Sequence, residues 1–414
     1  MRTFATLVLL ASGPTLLAQS EVTIATGPAN AQQVWYSLQN GIQATSDLAA
    51  WDLAFEINSF TSSILVNTAK GLSVYETPVP VAEWSSLSSP DVGAWTAIYN
   101  SELRWSEGAL TNGNNLSTGG FGLGWGQYSF ITHTVAGTKV YVIADAAGNY
   151  RKLRINSLAA NTYSFTYADL DGSNEVTATL SKGNFAGRNF GYFSFATNST
   201  LDLEPAANTW DLLFTKYTSI IPSPAPTAYG VAGVLQNKGV AAVQVDGVPV
   251  SASEWSGQQL DTAMNIIGYD WKTYNQPTFS YTYAQDRTYF VSDRSGSVWK
   301  LVFIGYGGQS TGTMTFTQEL MMSATSVGEV GARALAVFPV PVSNGVLNIL
   351  ADEEFRNARV EVIDASGRTL RTTNTADMQS GTIATVDMAG VPAGIYVVRL
   401  LAPGALRTAR VVVE

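Results

Sequence analysis

The chain has 414 residues, 13% of them charged and 11% aromatic, with 37 Gly and no Cys. That composition fits two or three β-rich extracellular domains with sizeable cores, and the lack of thiols excludes disulfides, thiolate metal sites and cysteine nucleophiles. A net charge of -9 with no clustered Lys and Arg excludes phosphate-backbone recognition, so no nucleic-acid partner is expected.

Residues 1–19 read as a signal peptide: Met1-Arg2 supplies the positive start, Phe4 to Leu17 the apolar run, and cleavage is expected near Gln19. No other stretch approaches the roughly eighteen apolar residues of a spanning helix, so no transmembrane segment is expected. Strand patterns then dominate. Trp35 to Leu38 opens a first module, 20–174, and Trp51-Asp52-Leu53-Ala54-Phe55 follows it. The Gly- and Asn-rich stretch from Asn112 to Gly126 reads as a long loop near Trp95, Trp105 and Trp125, whose rings are candidates for stacking on a sugar. Tyr141 to Ile143 and Lys152 to Ile155 form a hairpin around Asp145 and Gly148, and Tyr163 to Tyr167 returns. The run Asp169-Leu-Asp171-Gly172-Ser-Asn174-Glu175 has the spacing that opens a calcium loop, with Asp169, Asp171 and Glu175 as candidate ligands. Leu180 stands where the closing Glu would be, which favours a plain turn.

A second module, 175–323, repeats these landmarks. Trp210-Asp211-Leu212-Leu213-Phe214 answers Trp51 to Phe55, Glu254-Trp255 answers Glu83-Trp84, and Tyr289 to Leu301 answers Tyr141 to Leu153. The offsets of 159, 171 and 148 residues fit a duplication whose strands hold while the loops drift. Ser251 to Asn265 is expected to form one short helix. Gly308-Gln-Ser310-Thr-Gly312 has the letters of a nucleophile elbow, but a strand follows it, so it reads as a hairpin turn. With one His in the chain, His133, no catalytic triad is expected, and the chain is read as a non-enzyme.

A short linker, 324–334, leads to a separate unit, 335–414, with the alternation of a small antiparallel β-sandwich. The overall fold class is therefore all-β: two tandem antiparallel modules plus that sandwich. The last unit resembles the type A C-terminal sorting domain of the type IX secretion system of Bacteroidetes. The resemblance rests on Pro339-Val340-Pro341, Asp364-Ala-Ser-Gly367-Arg368 and Ala393-Gly394-Ile395-Tyr396-Val397-Val398-Arg399. Val340 departs from the usual Asn. The resemblance implies export by the type IX machinery to the cell surface or beyond, with Gly367, Arg368, Gly394 and Tyr396 as sorting-motif residues.

The duplicated region resembles the HmuY-like family of surface proteins. Tyr36 ahead of Trp51 to Phe55, the Asp145-x-x-Gly148-x-Tyr150-x-Lys152-Leu153 hairpin, and their second copies carry the likeness. It implies a β-rich scaffold that captures a small-molecule or surface ligand, with haem the best-defined cofactor, gripped between two axial side chains. A bis-His site is impossible here, which leaves His133, its aligned counterpart Tyr281, and Met264 as candidate haem ligands. The alternative is an adhesin-like, glycan-binding or structural surface protein that uses exposed Trp and Tyr.

Overall fold

The computed structural model describes residues 19–58, 62–115, 121–222, 225–323, 333–342, 345–351, 355–364, 368–375, 377–379, 382–402 and 405–413. The expected signal peptide up to residue 18, residues 324–332 of the expected linker and Gly367 of the expected sorting motif lie outside them. The chain is all-β. Among the described residues the only α-helix is the single turn Gly308–Thr311, beside several 3-10 turns, and no helix is long and apolar enough to cross a membrane. Two compact units divide near Ala324.

In the larger unit the two sequence repeats do not fold side by side. The opening strand Ser20–Ala25 pairs antiparallel with Thr313–Met322, at the far end of the second repeat, and so closes the sheet of Val298–Tyr306, Thr288–Ser292 and Ala241–Val245. Val176–Ser181, which opens the second repeat, closes the corresponding sheet of the first by pairing with Thr162–Asp169. The inner sheets are exchanged in the same way. The hairpin Gln32–Ser37/Gly41–Asp47 pairs with Leu212–Ile221, and the hairpin Phe190–Ser194/Ser199–Leu201 pairs with Leu53–Glu56.

Each folded lobe is thus a composite of both repeats. The first spans roughly residues 48–209; the second takes roughly 20–47 together with 210–323. Modules bounded at 174 and 175 are therefore repeats of sequence rather than of folding. Packing follows the exchange. Phe193 of the second repeat meets Phe165 of the first at 4.9 Å, and Phe55 stacks on Phe165 at 4.9 Å. In the other lobe Tyr36 plays the part of Phe193, packing edge-on against Phe214 and Phe316 at 6.0 and 5.8 Å.

The repeated motifs now have physical reasons. Asp52 accepts the amide of Phe195 at 2.7 Å, and Asp211 accepts the amide of Leu38 at 2.8 Å, so each Trp-Asp pair clamps the hairpin lent by the other repeat. Asn67 donates to Leu48 O and Trp51 O, and Asn237 donates to Ala207 O and Trp210 O, fixing the same corner twice. The hairpin Asp145 and Asp293 carboxylates gather the amides of their own turns, closed by Gly148 and Gly296 at φ of 82° and 89°, where a side chain would be strained. Lys152 is buried and donates to Trp84 O and Leu87 O, while Lys300 donates to Val250 O and Ser253 O. Each repeated Lys therefore pins the turn that carries the repeated Glu-Trp.

That pinning corrects one expectation. Residues 251–265 do not form a helix beyond the 3-10 turn Val250–Ala252, because two of the carbonyls at its start serve Lys300 and Asp261 bridges to Ala242. Gly257, at φ 82°, also leaves the helical region. The Gly308 to Gly312 letters close a hairpin, as expected, through the one-turn helix between Val298–Tyr306 and Thr313–Met322, and Ser310 Oγ donates to Gly307 O.

The smaller unit packs a five-stranded sheet against a three-stranded one around Leu347, Ile349, Val360, Val362, Val398, Leu400 and Val411. Arg368 donates to Asp364 through its amide and its guanidinium, just ahead of Thr369–Asn374. Gly394 begins the strand Gly394–Ala402, and Tyr396, buried, donates its hydroxyl to Pro392 O at 2.7 Å. That bond ties the Tyr396 ring back to the segment just before its strand.

Candidate ligand-binding clefts

Each lobe carries one projecting hairpin: Gly126–Ser129/Thr134–Gly137 in the first and Lys272–Asn275/Ser280–Tyr283 in the second. Their tips match at an offset of 146 residues. Tyr128 answers Tyr274; His133 at φ 53° answers Phe279 at φ 50°; and the Thr132–Thr134 hydroxyl pair at 2.8 Å answers Thr278–Ser280 at 2.8 Å. The counterpart of His133 is therefore Phe279, not Tyr281. The second repeat is two residues longer between this hairpin and its next strand, which shifts an alignment anchored on Tyr141 and Tyr289.

The second hairpin overhangs an open cleft of about 1240 Å³ lined by Tyr229, Tyr269, Tyr274, Phe279, Tyr281, Tyr283 and Tyr306. Phe279 is 80% exposed, Tyr229 63% and Tyr274 50%. The rings are ordered by one another: Tyr274 lies 5.2 Å from Tyr281, which meets Tyr306 edge-on at 4.8 Å. Beneath them Lys272 donates to Ala232 O and Tyr269 O and sits 4.2 Å from the Trp271 ring and 4.6 Å from that of Tyr306. Burial pushes its pKa down to about 7, whereas the carbonyls and ring faces favour the ammonium. Asn30, from the exchanged N-terminal segment, donates to Tyr306 Oη at 3.1 Å, and the Tyr306 amide donates to Tyr283 Oη at 2.8 Å.

The corresponding cleft of the first lobe is smaller, about 550 Å³, and more apolar, with Phe121, Tyr128, Phe130 and Leu158 around His133 and Lys182. His133 is exposed, and its Nδ1 lies 2.9 Å from Tyr128 Oη. Phe121 and Phe130 touch edge-on at 4.2 Å.

A third cavity lies between the lobes, narrow and about 80 Å³, walled by Trp35, Trp51, Trp105, Trp210, Tyr192 and Met264 among others. Contacts across the lobes surround it: Trp105 Nε1 donates to Gln236 O at 2.7 Å, Asn189 donates to Asn237 at 2.8 Å, and Lys238 pairs with the buried Glu56. Glu204 at its edge accepts from the amides of Asn189 and Phe190 and from Tyr192 Oη. Burial outweighs those donors and raises its pKa to about 7.

The three candidate haem ligands are not brought together. His133 rims the first cleft, Tyr281 lines the second, and Met264 is buried in the cavity between the lobes. Asp169, Asp171 and Glu175 do not converge on a cation either. Asp169 accepts from Asn174 and Ser173, Asp171 accepts from Ser173, and Glu175 accepts Trp84 Nε1 at 2.8 Å. They make the turn between Thr162–Asp169 and Val176–Ser181, and among the described residues no cluster of three such groups is placed to hold a metal. The three tryptophans expected to stack on a ligand are not presented to solvent as a face: Trp95 and Trp125 are buried and Trp105 is half-buried. The tyrosine cleft is missing from the sequence reading, although seven of the 18 Tyr fall between Tyr229 and Tyr306.

Comparison with known proteins finds one family. Residues 336–414 match the model described as a secretion system C-terminal sorting domain. No curated protein matches the chain. A solved structure described as a biofilm associated protein, BSP domain, aligns at 11% identity over 98% of this chain and 68% of its own, but its TM-score of 0.17 carries no argument. The HmuY-like resemblance gains no support from these comparisons. The sorting domain makes this a secreted or cell-surface protein that engages a secretion machinery.

Proposed function

We propose that the protein is exported by the type IX machinery and captures a carbohydrate, without transforming it, in the tyrosine cleft of its second lobe. One observation carries this reading: Tyr229, Tyr274 and Phe279 present large apolar ring surface to solvent along an open groove. Exposed aromatic surface gathered at one place marks an interaction site, whereas scattered apolar residues do not. Phenol hydroxyls at the ring edges give such a surface the polar handles that a polyol needs. No Asp or Glu lines the cleft among the described residues, so the two carboxylates of a glycosidase are not at hand, and this favours binding over hydrolysis.

A glycan array probed with the mature protein tests the reading. Carbohydrate is expected to be retained, with Tyr274→Ala and Phe279→Ala each weakening binding about tenfold, the worth of one ring contact. Both side chains are exposed, so the thermal unfolding midpoint should stay within about 2 °C of the parent. No retained glycan, or binding untouched by removing both rings together with Tyr229, would refute it.

A further inference from the structure

The tyrosine cleft of the second lobe carries charge of one sign. Lys216 and Lys272 line it, and among the described residues no Asp or Glu does. That is a departure in a chain whose net charge is -9. The two lysines come from different strands, Leu212–Ile221 and Lys272–Asn275, and are brought to one position of Thr227–Gln236. Lys216 is the register partner of Ala232, and Lys272 Nζ donates to the carbonyl of that same Ala232 at 2.6 Å. Asp270 follows the lining residue Tyr269 in sequence, but its carboxylate pairs with Arg287 at 3.2 Å rather than with either lysine.

Both ammonium groups keep capacity for a further acceptor. Lys272 donates to Ala232 O and Tyr269 O, which leaves one more N–H of its ammonium. Lys216 is half-buried, and its Nζ has neither a hydrogen bond nor an ion pair among the described residues. An ammonium without a protein acceptor stays hydrated, so Lys216 brings a solvated cation to the lining. It also borders the narrow cavity between the lobes, but only the cleft, at about 1240 Å³ against about 80 Å³, has room for a ligand beside it.

We propose that the carbohydrate captured here is acidic, with a carboxylate or sulfate group paired to Lys216 and Lys272 while its rings lie on Tyr229, Tyr274 and Phe279. The inference rests on the reading of the cleft as a carbohydrate site and adds the charge of the ligand. Size agrees, because the cleft exceeds the roughly 300–1,000 Å³ of a small-molecule pocket and so accommodates an oligomer. The pairing also supplies orientation. Stacking tolerates a turned ring, whereas an anion held by two cations fixes where the chain sits along the groove.

Calorimetric titration of the full mature chain with two matched pairs tests this: an oligogalacturonate against its methyl ester, and a sulfated galactan oligomer against its desulfated form. At about pH 6, below the Lys272 pKa of about 7, both lysines carry charge and a sugar carboxylate is ionised. The acidic member of at least one pair should bind about tenfold more tightly than its neutral partner, and the pair that responds names the anion. That preference should shrink as salt is raised. Lys216→Gln should weaken the acidic member about tenfold and leave the neutral one unchanged, while Lys216→Arg keeps the preference. Equal binding of acidic and neutral members, or a preference that survives Lys216→Gln, overturns the inference. Equal binding that still falls in Tyr274→Ala leaves the carbohydrate reading standing. No binding of either pair also overturns the inference, and the glycan array then decides that reading separately. If Lys216→Gln fails to fold, the parent decides alone, since a preference unmoved by salt is equally fatal.

Discussion

Expressed alone, residues 20–174 and residues 175–323 should each fail to fold, and the two fragments should fold when produced together. The first fragment keeps Leu53–Glu56 and Thr162–Asp169 but lacks their partners Phe190–Ser194 and Val176–Ser181. It would also carry Gln32–Asp47 with no Leu212–Ile221 to pair with. Buried strands left as open apolar edges cost backbone hydrogen bonds and core contacts together, and such edges promote aggregation. Residues 48–209 make the contrasting case. This segment is continuous and holds the whole first-lobe cluster from Leu53 to Phe193, so it should unfold cooperatively in urea by circular dichroism. Cooperative unfolding of 20–174 alone would show that the repeats are self-contained.

Removing the clamps should be the costliest single change. Asp52 and Asp211 are buried, and each holds an amide of the exchanged hairpin, with Lys70 2.7 Å from Asp52 and the Arg294 amide 3.3 Å from Asp211. Asp211→Ala leaves those amides without an acceptor, and Asp52→Ala also strands the Lys70 ammonium. We expect each to destabilise the larger unit by about 2–4 kcal/mol in urea denaturation. Asp211→Asn keeps an acceptor for one amide but sets an NH2 donor against the other, so it should fall between the parent and the alanine variant, losing about 1–2 kcal/mol. An alanine variant with the parental midpoint would mean that the Trp-Asp repeat marks packing alone.

Much of the fold was legible because strands, turns and duplication leave local marks. Strand patterns mark Tyr141 to Ile143, Tyr163 to Tyr167 and the strand after Gly312, observed as Tyr141–Ala144, Thr162–Asp169 and Thr313–Met322, and the paired Asp and Gly of the two turns mark the hairpins. The exchange was not legible. Glu21-Val22-Thr23 and Glu175-Val176-Thr177 are equivalent in sequence, and strands so alike would satisfy either sheet, so nothing local says which one each closes. Pairing over nearly three hundred residues is a property of the tertiary structure. The helix expected at 251–265 is missing because Lys300, far along the chain and without a local mark, claims carbonyls at its start.

The site was less legible than the fold. His133 enters the sequence reading as a candidate haem ligand aligned with Tyr281, but a two-residue insertion makes Phe279 its structural counterpart. Tryptophan drew attention as the stacking residue, yet large rings are the best fillers of a β core, and the chain uses them there. The crowd of tyrosines between Tyr229 and Tyr306 was the overlooked signal.

Disulfide trapping in a chain that has no Cys of its own tests the interlocked architecture most directly. Thr23 and Thr315 are paired across the opening strand and the far strand of the second repeat, with their hydroxyls 3.0 Å apart. Directly opposed residues of antiparallel strands have Cα atoms about 4.5–5.5 Å apart, within the reach of a disulfide. The doubly substituted Thr23→Cys/Thr315→Cys protein, oxidised at low concentration while folded, should form an intramolecular disulfide in nearly every molecule, seen as a 2 Da loss by mass spectrometry. Thiols that stay free in the folded monomer, or that bridge only between molecules, would contradict the account.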